Sequence, residues 1–245
     1  MGGFNYALEP KRDILFIDVK SFYASVECIS RGLDPIQAML VVMSHSDNTG
    51  NGLVLAASPK AKSVLGISNV TRNDNLPTHP DLYKASPRMS FYIKENTKVN
   101  NVFRKYVGQD DLLLYSIDET MMDLTRTLDL FIPDKTISRE EKRWLIAQQI
   151  QKDIYETTKL YVTIGIGDNP LLAKLALDNE SKHNRSLIAE WTYDDVPTKV
   201  WQIAPMTEFW GIGRRTEKRL HLMGIETIEQ LAHASPDLLR SRMGI

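Results

Sequence analysis

Residues 13–27 read DILFIDVKSFYASVE, and residues 112–124 read LLLYSIDETMMDL. Each stretch holds an apolar run that is long enough for a buried strand and too short for a helix. Asp18 ends the first run, and Asp118 and Glu119 interrupt the second. Acidic side chains are rarely buried unless they are paired or bind a metal. The spacing therefore indicates either a metal site or acids that cap strands and form ion pairs, and it leaves both open.

A turn between paired strands would allow both Asp118 and Glu119 to reach one site, whereas neighbours on a regular strand point to opposite faces. Three converging carboxylates cannot all stay ionised without a cation between them. Oxygen ligands without cysteine or histidine favour Mg²⁺ or Mn²⁺. Two such ions, about 4 Å apart, are the usual arrangement for in-line phosphoryl transfer.

The hydrophobic pattern along the chain predicts alternating strands and helices, and hence an α/β or α+β core. Strands are predicted at 13–19, 39–43, 53–57, 112–117, 121–124 and 161–166, with a polar turn at 45–52. Helices are predicted at 59–65, 89–106, 139–158 and 170–177, and from an N-cap at Ser21 to Ile29. The proline-containing residues 67–90 are predicted to be mostly loop. After about residue 182 we predict a separate small helical domain, with two short helices around a Gly-Ile-Gly turn.

Bulk composition is that of an ordinary globular protein, with 245 residues and a net charge of -1. Cys28 is the single cysteine; it excludes an internal disulfide and favours a reducing, cytoplasmic compartment. We expect Cys28 to be a core residue rather than a nucleophile, and the five scattered histidines to be surface or structural residues. The sequence has neither a secretory signal nor the roughly 18 consecutive apolar residues of a membrane span, so we expect no membrane partner.

The charges are unevenly distributed. Residues 58–105 contain nine basic and three acidic residues, a net charge of +6. A second basic cluster consists of Arg214, Arg215, Lys218 and Arg219, and acids concentrate between 110 and 141. Basic regions around an acidic centre suit a polyanion held across a metal site. A mixed, solvated surface is the alternative.

Four motifs occur in the order found in one enzyme family: IDVKSFYASVE (17–27), YSIDET (115–120), VTIGIGDNPLLAKLALD (162–178) and WGIGRRTEKRLHLMGI (210–225). Together they resemble the Y-family DNA polymerases, the error-prone, lesion-bypassing class. The stretch NGLVLAASPKAKSVLGI (51–67) is more similar to the UmuC branch, the ImpB/MucB/SamB group, than to the DinB branch. The resemblance covers nearly the whole chain.

This resemblance implies an α+β, right-hand polymerase fold. A ferredoxin-like palm would comprise residues 1–21 and 92–181, small fingers 22–91, and a helical thumb with a helix-hairpin-helix 182–245. Members of the family continue into a further DNA-gripping domain, the little finger. We therefore expect this chain to be the N-terminal catalytic portion of a longer protein.

The resemblance also implies roles for individual residues. Asp18, Asp118 and Glu119 match the metal-binding, catalytic triad, and the backbone carbonyl of Val19 would add a ligand. The cofactor would be two Mg²⁺ ions, which Mn²⁺ can replace. Tyr23 matches the steric gate, whose ring would clash with the 2′-hydroxyl of a ribonucleotide; the alternative is a core aromatic beside Phe22.

Two lysines are implied to bind the nucleotide. Lys174 matches a lysine that reaches the triphosphate, and the alternative is a solvated helix lysine. Where many relatives place a tyrosine and an arginine on the triphosphate, this sequence has Pro59 and Lys62. Lys62 keeps the charge and loses bidentate geometry, so the nucleotide would be held less tightly. Lys20 stands where many relatives carry an acid, and it is not expected to bind metal.

In the predicted thumb, the backbone N–H groups of Gly211 and Gly213 and the cations Arg214 and Arg215 would contact DNA phosphates. A helical hairpin of purely structural use is the alternative. The expected partners are primer-template DNA and dNTP, with a sliding clamp and accessory damage-response subunits that would bind outside these residues. Two other functions stay open: a nucleotide cyclase, which would make a cyclic product from one NTP, and a non-catalytic DNA-binding factor, which would bind no metal at the acids.

Overall fold

The computed structural model describes residues 5–44 and 52–244, so the polar turn predicted at 45–52 lies, except for Gly52, outside the described residues. The strands are β1 (Ile14–Val19), β2 (Met39–Met43), β3 (Val54–Ala57), β4 (Leu82–Ala85), β5 (Leu112–Leu114), β6 (Glu119–Asp123), β7 (Val162–Gly167) and β8 (Ile188–Trp191). The α-helices are α1 (Phe22–Ser30), α2 (Pro59–Leu65), α3 (Met89–Phe103), α4 (Leu128–Phe131), α5 (Arg139–Thr158), α6 (Pro170–Ala176), α7 (Arg214–His221), α8 (Ile228–Ala232) and α9 (Pro236–Met243). The predicted α+β class is confirmed.

The chain divides into two compact units. The first unit takes residues up to 17, 121–147 and those from 164 onward, and the second takes 18–120 and 148–163. The strands form a five-stranded sheet in the order β5-β6-β1-β7-β8 and a three-stranded sheet in the order β3-β2-β4. Within the described residues, no helix is long and apolar enough to cross a membrane.

The three-stranded sheet lies in the second unit. Strand β2 pairs antiparallel with β3 and parallel with β4, and buried side chains such as Val41 and Val54 form its core. Helix α2 begins after Ser58, whose Oγ accepts a hydrogen bond from the Ala61 amide, and ends at Gly66 with φ of 64°. Both ends of this helix confirm the prediction.

Two strands were not predicted. Strand β4 lies in the stretch expected to be mostly loop, and its side chains are largely exposed, so the stretch has no apolar alternation for a pattern to detect. Strand β8 pairs in parallel with β7, with Ile188 opposite Ile164. It lies after residue 182, where a helical domain was expected to begin, so residues 188–191 are part of the sheet.

Helix α6 lies very close to strand β7. A Cβ atom built on Gly165 would be 2.0 Å from the Ala173 carbonyl oxygen, and one on Gly167 would be 2.3 Å from the Ala173 amide nitrogen. Only glycine allows this approach. The Gly-Ile-Gly sequence of β7 therefore allows α6, the helix that carries Lys174, to pack closely against the strand.

A buried ion cluster accounts for the acid at the start of β1. Asp13 is 1% exposed and pairs with Arg139, and the Arg143 guanidinium lies 3.6 Å from Asp13 and 3.2 Å from Asp168. Burial raises the pKa of Asp13, and the hydrogen bond and charge of Arg139 oppose that rise. Asp13 is thus a buried acid whose charge is balanced by ion pairs with arginine.

The N-terminus of α1 differs from the prediction in one detail. Ser21 occupies the N-cap position, but its φ of 50° is left-handed and its side chain makes no capping hydrogen bond. An N-cap side chain reaches the first turn from extended backbone, which Ser21 does not adopt. The Ser25 hydroxyl instead donates to the Lys20 carbonyl at 2.6 Å.

Candidate active site

The end of β1 lies beside the hairpin that joins β5 to β6. The Val19 amide donates a 2.9 Å hydrogen bond to the Asp118 carbonyl. Within the hairpin, the Tyr115 and Ser116 amides both donate to the Glu119 carbonyl at 3.0 Å. A bend at 116–118 therefore separates the strands, and the hydrogen bond from Val19 brings the backbone of Asp118 next to the end of β1.

The three acidic side chains are all half-buried. The Asp118 carboxylate accepts a 2.8 Å hydrogen bond from the Ser116 hydroxyl, whose oxygen in turn accepts one of 3.0 Å from the Glu119 amide. Behind the site, the Thr163 hydroxyl donates to the Asp18 carbonyl at 3.3 Å. The hairpin is thus stabilised by its own side chains, and the end of β1 by a side chain of β7.

The donor atoms around this point suit a hard divalent cation, because they are carboxylate and peptide oxygens. Within 5–44 and 52–244, no three His, Cys, Asp or Glu side chains are grouped so as to hold a metal ion. The hydrogen bond from the Val19 amide joins the backbones of the two acid-bearing segments, without grouping their side chains. The roles of these acids and of Val19 stay predictions.

Tyr23 lies on the first turn of α1, close to the acids. It is half-buried, and its ring stacks on that of Tyr92 with centroids 4.5 Å apart and planes 17° from parallel. Burial raises the pKa of Tyr23, and the negative charge of Asp118 adds to that rise. Its neighbour Phe22 is 2% exposed, so Phe22 is the core aromatic, while Tyr23 is only half-buried.

A buried carboxylate that the sequence analysis did not single out lies one turn further along α1. Glu27 is fully buried. Arg88 donates to both of its oxygens at 2.8 Å, the Tyr92 hydroxyl donates at 2.8 Å, and Arg31 forms a further ion pair with it. Burial acts to raise the pKa of Glu27, but the hydrogen bonds from Arg88, Arg31 and Tyr92 outweigh it and lower the pKa.

Lys174 lies in the first unit and the acids in the second. Its side chain is 6% exposed, pairs with Asp178 at 2.9 Å, and places its ammonium 5.1 Å from the centre of the Phe16 ring. It is therefore not a solvated helix lysine. Its contact with a nucleotide stays a prediction.

Pro59 and Lys62 both lie on helix α2, which the sequence predicted at 59–65. Pro59 is the first residue of α2, and Lys62 is exposed on the same helix. The Lys20 amide donates to the Tyr161 carbonyl at 2.9 Å. The described structure leaves the nucleotide-binding role of Lys62 as a prediction.

The Gly-Ile-Gly turn precedes α7 as expected. Gly211 has φ of 93°, which favours glycine, and Gly213 is the N-cap of α7. Arg214 and Arg215 are exposed on the first turn, while Leu220 packs in the core of the first unit. Cations and N-terminal amide groups thus share one exposed helix end.

Cys28 is fully buried, and burial raises the pKa of its thiol to about 11. A thiol with so high a pKa is protonated at neutral pH and is a poor nucleophile. His45 lies outside the described residues.

Two family models match the sequence. The first, described as the impB/mucB/samB family, matches residues 17–178, and the second, the IMS family HHH motif, matches residues 193–225. The second match confirms the predicted helix-hairpin-helix. The first contains the three acids, Tyr23 and Lys174.

Curated relatives match the chain over almost its full length. It is 39% identical to the putative UV-damage repair protein UvrX of Bacillus subtilis over 98% of this chain and 54% of the relative. It is 34% identical to DNA polymerase IV 2 of the same organism over 95% of this chain and 53% of the relative. The chain spans about half the length of the curated relatives it matches.

Solved structures show the same fold. DinB from Sulfolobus solfataricus superposes with a TM-score of 0.75 at 23% identity, over 95% of this chain and 63% of that one. An insertion ternary complex of Dbh DNA polymerase gives a TM-score of 0.79 at 24% identity, over 95% and 63%. The polymerase fold expected from the motifs is confirmed.

Proposed function

The chain belongs to the impB/mucB/samB family, and from this premise we propose that it is the catalytic part of a template-directed, error-prone DNA polymerase acting in the damage response. It would add dNTPs to a primer 3′ end. The observation that carries the proposal is the hydrogen bond from Val19 to Asp118, which joins the two acid-bearing segments. Both segments lie within the part of the chain that matches the family.

Membership of this family implies the use of a divalent metal. Asp18, Asp118 and Glu119, with the Val19 carbonyl, would hold two Mg²⁺ ions. When bound, these ions would lower the pKa of the primer 3′-hydroxyl and stabilise the charge that develops at the α-phosphate. The hairpin and the strand end would position the acids, and the Ser116 hydroxyl, which donates to the Asp118 carboxylate, would orient that group.

Tyr23 would select the sugar. Its ring is held by stacking, is half-buried and lies within the electrostatic influence of Asp118, which suits a group that lies beneath a nucleotide ribose. A 2′-hydroxyl would collide with the ring, whereas a 2′-deoxyribose would pack against it. Lys174 and Lys62 would offer ammonium groups to the triphosphate.

The DNA would be gripped through its backbone. Arg214 and Arg215 are exposed beside the N-terminal amides of α7 and the Gly211–Gly213 turn. Such groups bind phosphates and read no sequence. Primer-template DNA and dNTP are thus the proposed ligands. A sliding clamp and accessory damage-response subunits are further proposed partners.

Primer extension tests this function. The chain is mixed with labelled primer-template, Mg²⁺ and dNTPs, on an undamaged template and on one with a single lesion. We expect template-directed addition on both. Failure to add any nucleotide with either Mg²⁺ or Mn²⁺ would refute the proposal, and a cyclic product from a single NTP would replace it with the cyclase.

A further inference from the structure

The aromatic pair Tyr23 and Tyr92 connects the candidate sugar gate to a buried polar cluster. Tyr92 is fully buried on α3, 69 positions along the chain from Tyr23 on α1. Its ring lies nearly parallel to that of Tyr23 and meets Phe22 edge-on, with centroids 6.5 Å apart. Tyr92 therefore packs as a wall behind the half-buried ring of Tyr23.

The position of the Tyr92 ring is fixed by hydrogen bonding at its hydroxyl end. The Tyr92 hydroxyl donates a hydrogen bond to Glu27 Oε1 at 2.8 Å. The Nε and Nη2 groups of Arg88 donate to Oε1 and Oε2 of the same carboxylate, both at 2.8 Å. Bidentate, charge-assisted bonds of this kind fix geometry as well as adding energy. Arg88 Nη2 also donates to the Ser30 hydroxyl at 2.7 Å, which ties the start of α3 to the end of α1.

Glu27 and Tyr23 are four residues apart on α1, so they lie on the same side of the helix. The carboxylate that anchors the Tyr92 hydroxyl thus sits one turn below the tyrosine on which the Tyr92 ring stacks. A closed loop of contacts results: Tyr23 stacks on Tyr92, Tyr92 bonds to Glu27, and Glu27 joins Tyr23 through the helix. A ring that must exclude one oxygen atom has to be held within a fraction of an ångström, and such a loop provides that restraint.

We infer that Tyr92, anchored by Glu27 and Arg88, is a positioning residue for sugar selection: it fixes the Tyr23 ring so that ribonucleotides are excluded. The inference rests on the proposed function, in which Tyr23 is the gate. Tyr92 itself, fully buried behind Tyr23, would not touch the nucleotide. Its loss should therefore change discrimination between sugars more than it changes dNTP incorporation.

The test compares single-nucleotide incorporation of a dNTP and the matching rNTP by the 245-residue chain and its variants. In Tyr92→Leu the stacking partner is lost, and we expect the dNTP-to-rNTP ratio of kcat/KM to fall about tenfold or more, since a misplacement of about 1 Å can change rates about 100-fold. Tyr92→Phe keeps the ring and removes the hydroxyl that donates to Glu27, and we expect a smaller fall in the dNTP-to-rNTP ratio. Tyr23→Ala with Tyr92→Leu should discriminate no worse than Tyr23→Ala alone, because Tyr92 acts only through Tyr23.

Tyr106 supplies a matched control. It is a buried tyrosine of the same unit, and its hydroxyl donates to the Asp153 carboxylate at 2.7 Å. Tyr106→Leu and Tyr106→Phe should cost stability as the Tyr92 variants do while leaving the ratio unchanged.

The possible outcomes separate this inference from the function on which it rests. If the unmodified chain adds no dNTP, both the proposed function and this inference are refuted. If Tyr23→Ala discriminates normally between dNTP and rNTP, Tyr23 is not the gate and Tyr92 cannot position one. If Tyr23→Ala loses discrimination while both folded Tyr92 variants keep it, the gate stands and this inference is wrong. The inference is also wrong if the Tyr106 variants lower the ratio as much as the Tyr92 variants do.

Discussion

The Val19 amide and the Asp118 carbonyl are joined by a 2.9 Å hydrogen bond, so two segments about a hundred residues apart meet through their backbones. The contact does not depend on the acidic side chains beside it. Neutral replacements of these acids should therefore leave the junction of β1 with the hairpin intact. Chemistry and folding can be tested separately at this site.

The first prediction is that Asp118→Asn with Glu119→Gln abolishes primer extension by a folded protein. Removal of metal ligands should cost several kcal/mol of transition-state stabilisation, a loss of roughly 1,000-fold or more in rate. Circular dichroism and the unfolding midpoint establish that the fold is retained. The control is Asp110→Asn with Asp111→Asn, which makes the same charge change just before β5 and should keep activity. Extension by the folded site variant would overturn the triad.

The second prediction concerns Tyr23→Ala. Removing the ring removes the clash with a 2′-hydroxyl, so the preference for dNTP over rNTP should fall about tenfold or more, corresponding to about 1.4 kcal/mol or more. Measurement of kcat/KM for dCTP and CTP opposite one template base gives the ratio. Phe22 is not a suitable control because it lies in the core. Tyr83, which is exposed on β4, is the control, and Tyr83→Ala should leave the ratio unchanged. An unaltered preference in Tyr23→Ala would show that another group selects the sugar.

The positions of Asp18, Asp118 and Glu119 at a strand end and a turn could be predicted from the sequence because their signals are local, whereas Tyr23 was singled out by its resemblance to the family motif. An acid at the end of an apolar strand and a Ser-Ile-Asp-Glu turn are visible within a few residues. The cluster of Glu27, Arg88 and Tyr92 has no such local signal, because Arg88 and Tyr92 lie 61 and 65 residues from Glu27. One hint was present: Glu27 lies four residues after Tyr23 and is the one charged residue of a largely apolar helix, where an acid needs a partner.

The fold shows the same division. Helices α2 and α5 have the predicted bounds because the caps of α2 and the helical periodicity of α5 can be recognised in their own residues. Strand β4 is stabilised by pairing with β2 rather than by its own apolar pattern, and strand β8 by pairing with β7. Tertiary pairing of this kind leaves little trace in a single sequence.

The third prediction uses the lowered pKa of Glu27. A glutamate has an ordinary pKa of 4.5, and in the folded protein the value is lower, so below about pH 5 the unfolded state binds the proton first. Stability from this carboxylate is complete above its unfolded pKa and is lost as pH falls through the folded one. Urea unfolding at several pH values should show Glu27→Gln less stable than wild type at pH 7, by about 1–3 kcal/mol, with the gap closing toward about pH 3. A gap that is constant with pH would contradict the assignment.

The fourth prediction is that Gly165→Ala destabilises the protein. Its Cβ would lie 2.0 Å from the Ala173 carbonyl oxygen and 2.4 Å from the Leu177 amide nitrogen, and main-chain atoms cannot move aside as a flexible side chain can. We expect a loss of about 2–4 kcal/mol in the free energy of unfolding. Gly108→Ala is the control, because no atom lies within 4 Å of its built Cβ. Similar unfolding midpoints for the two variants would show that α6 does not press on β7.

The last prediction concerns how the helix-hairpin-helix holds DNA. If Arg214 and Arg215 each neutralise one phosphate, replacing both with alanine should reduce the slope of log affinity against log salt by about 1.8, since each contact contributes about 0.9 on duplex DNA. Between about 50 and 200 mM salt, wild type should then lose about 12-fold more affinity than the variant. The deficit should be equal on two unrelated duplex sequences, because phosphate contacts carry no sequence information.

The measurement is a fluorescence titration of labelled primer-template at several salt concentrations. Lys135→Ala with Lys152→Ala is the control; both lysines are exposed and lie outside the segment that matches the helix-hairpin-helix motif, and the change in net charge is the same. A slope reduced equally in both variants would mean that overall charge governs binding. A slope reduced in neither would mean that the two arginines do not touch phosphates, and the hairpin would then have a structural use only. A slope reduced only by the arginine pair assigns the DNA backbone to the start of α7, where their cations and the helix's N-terminal amide groups converge.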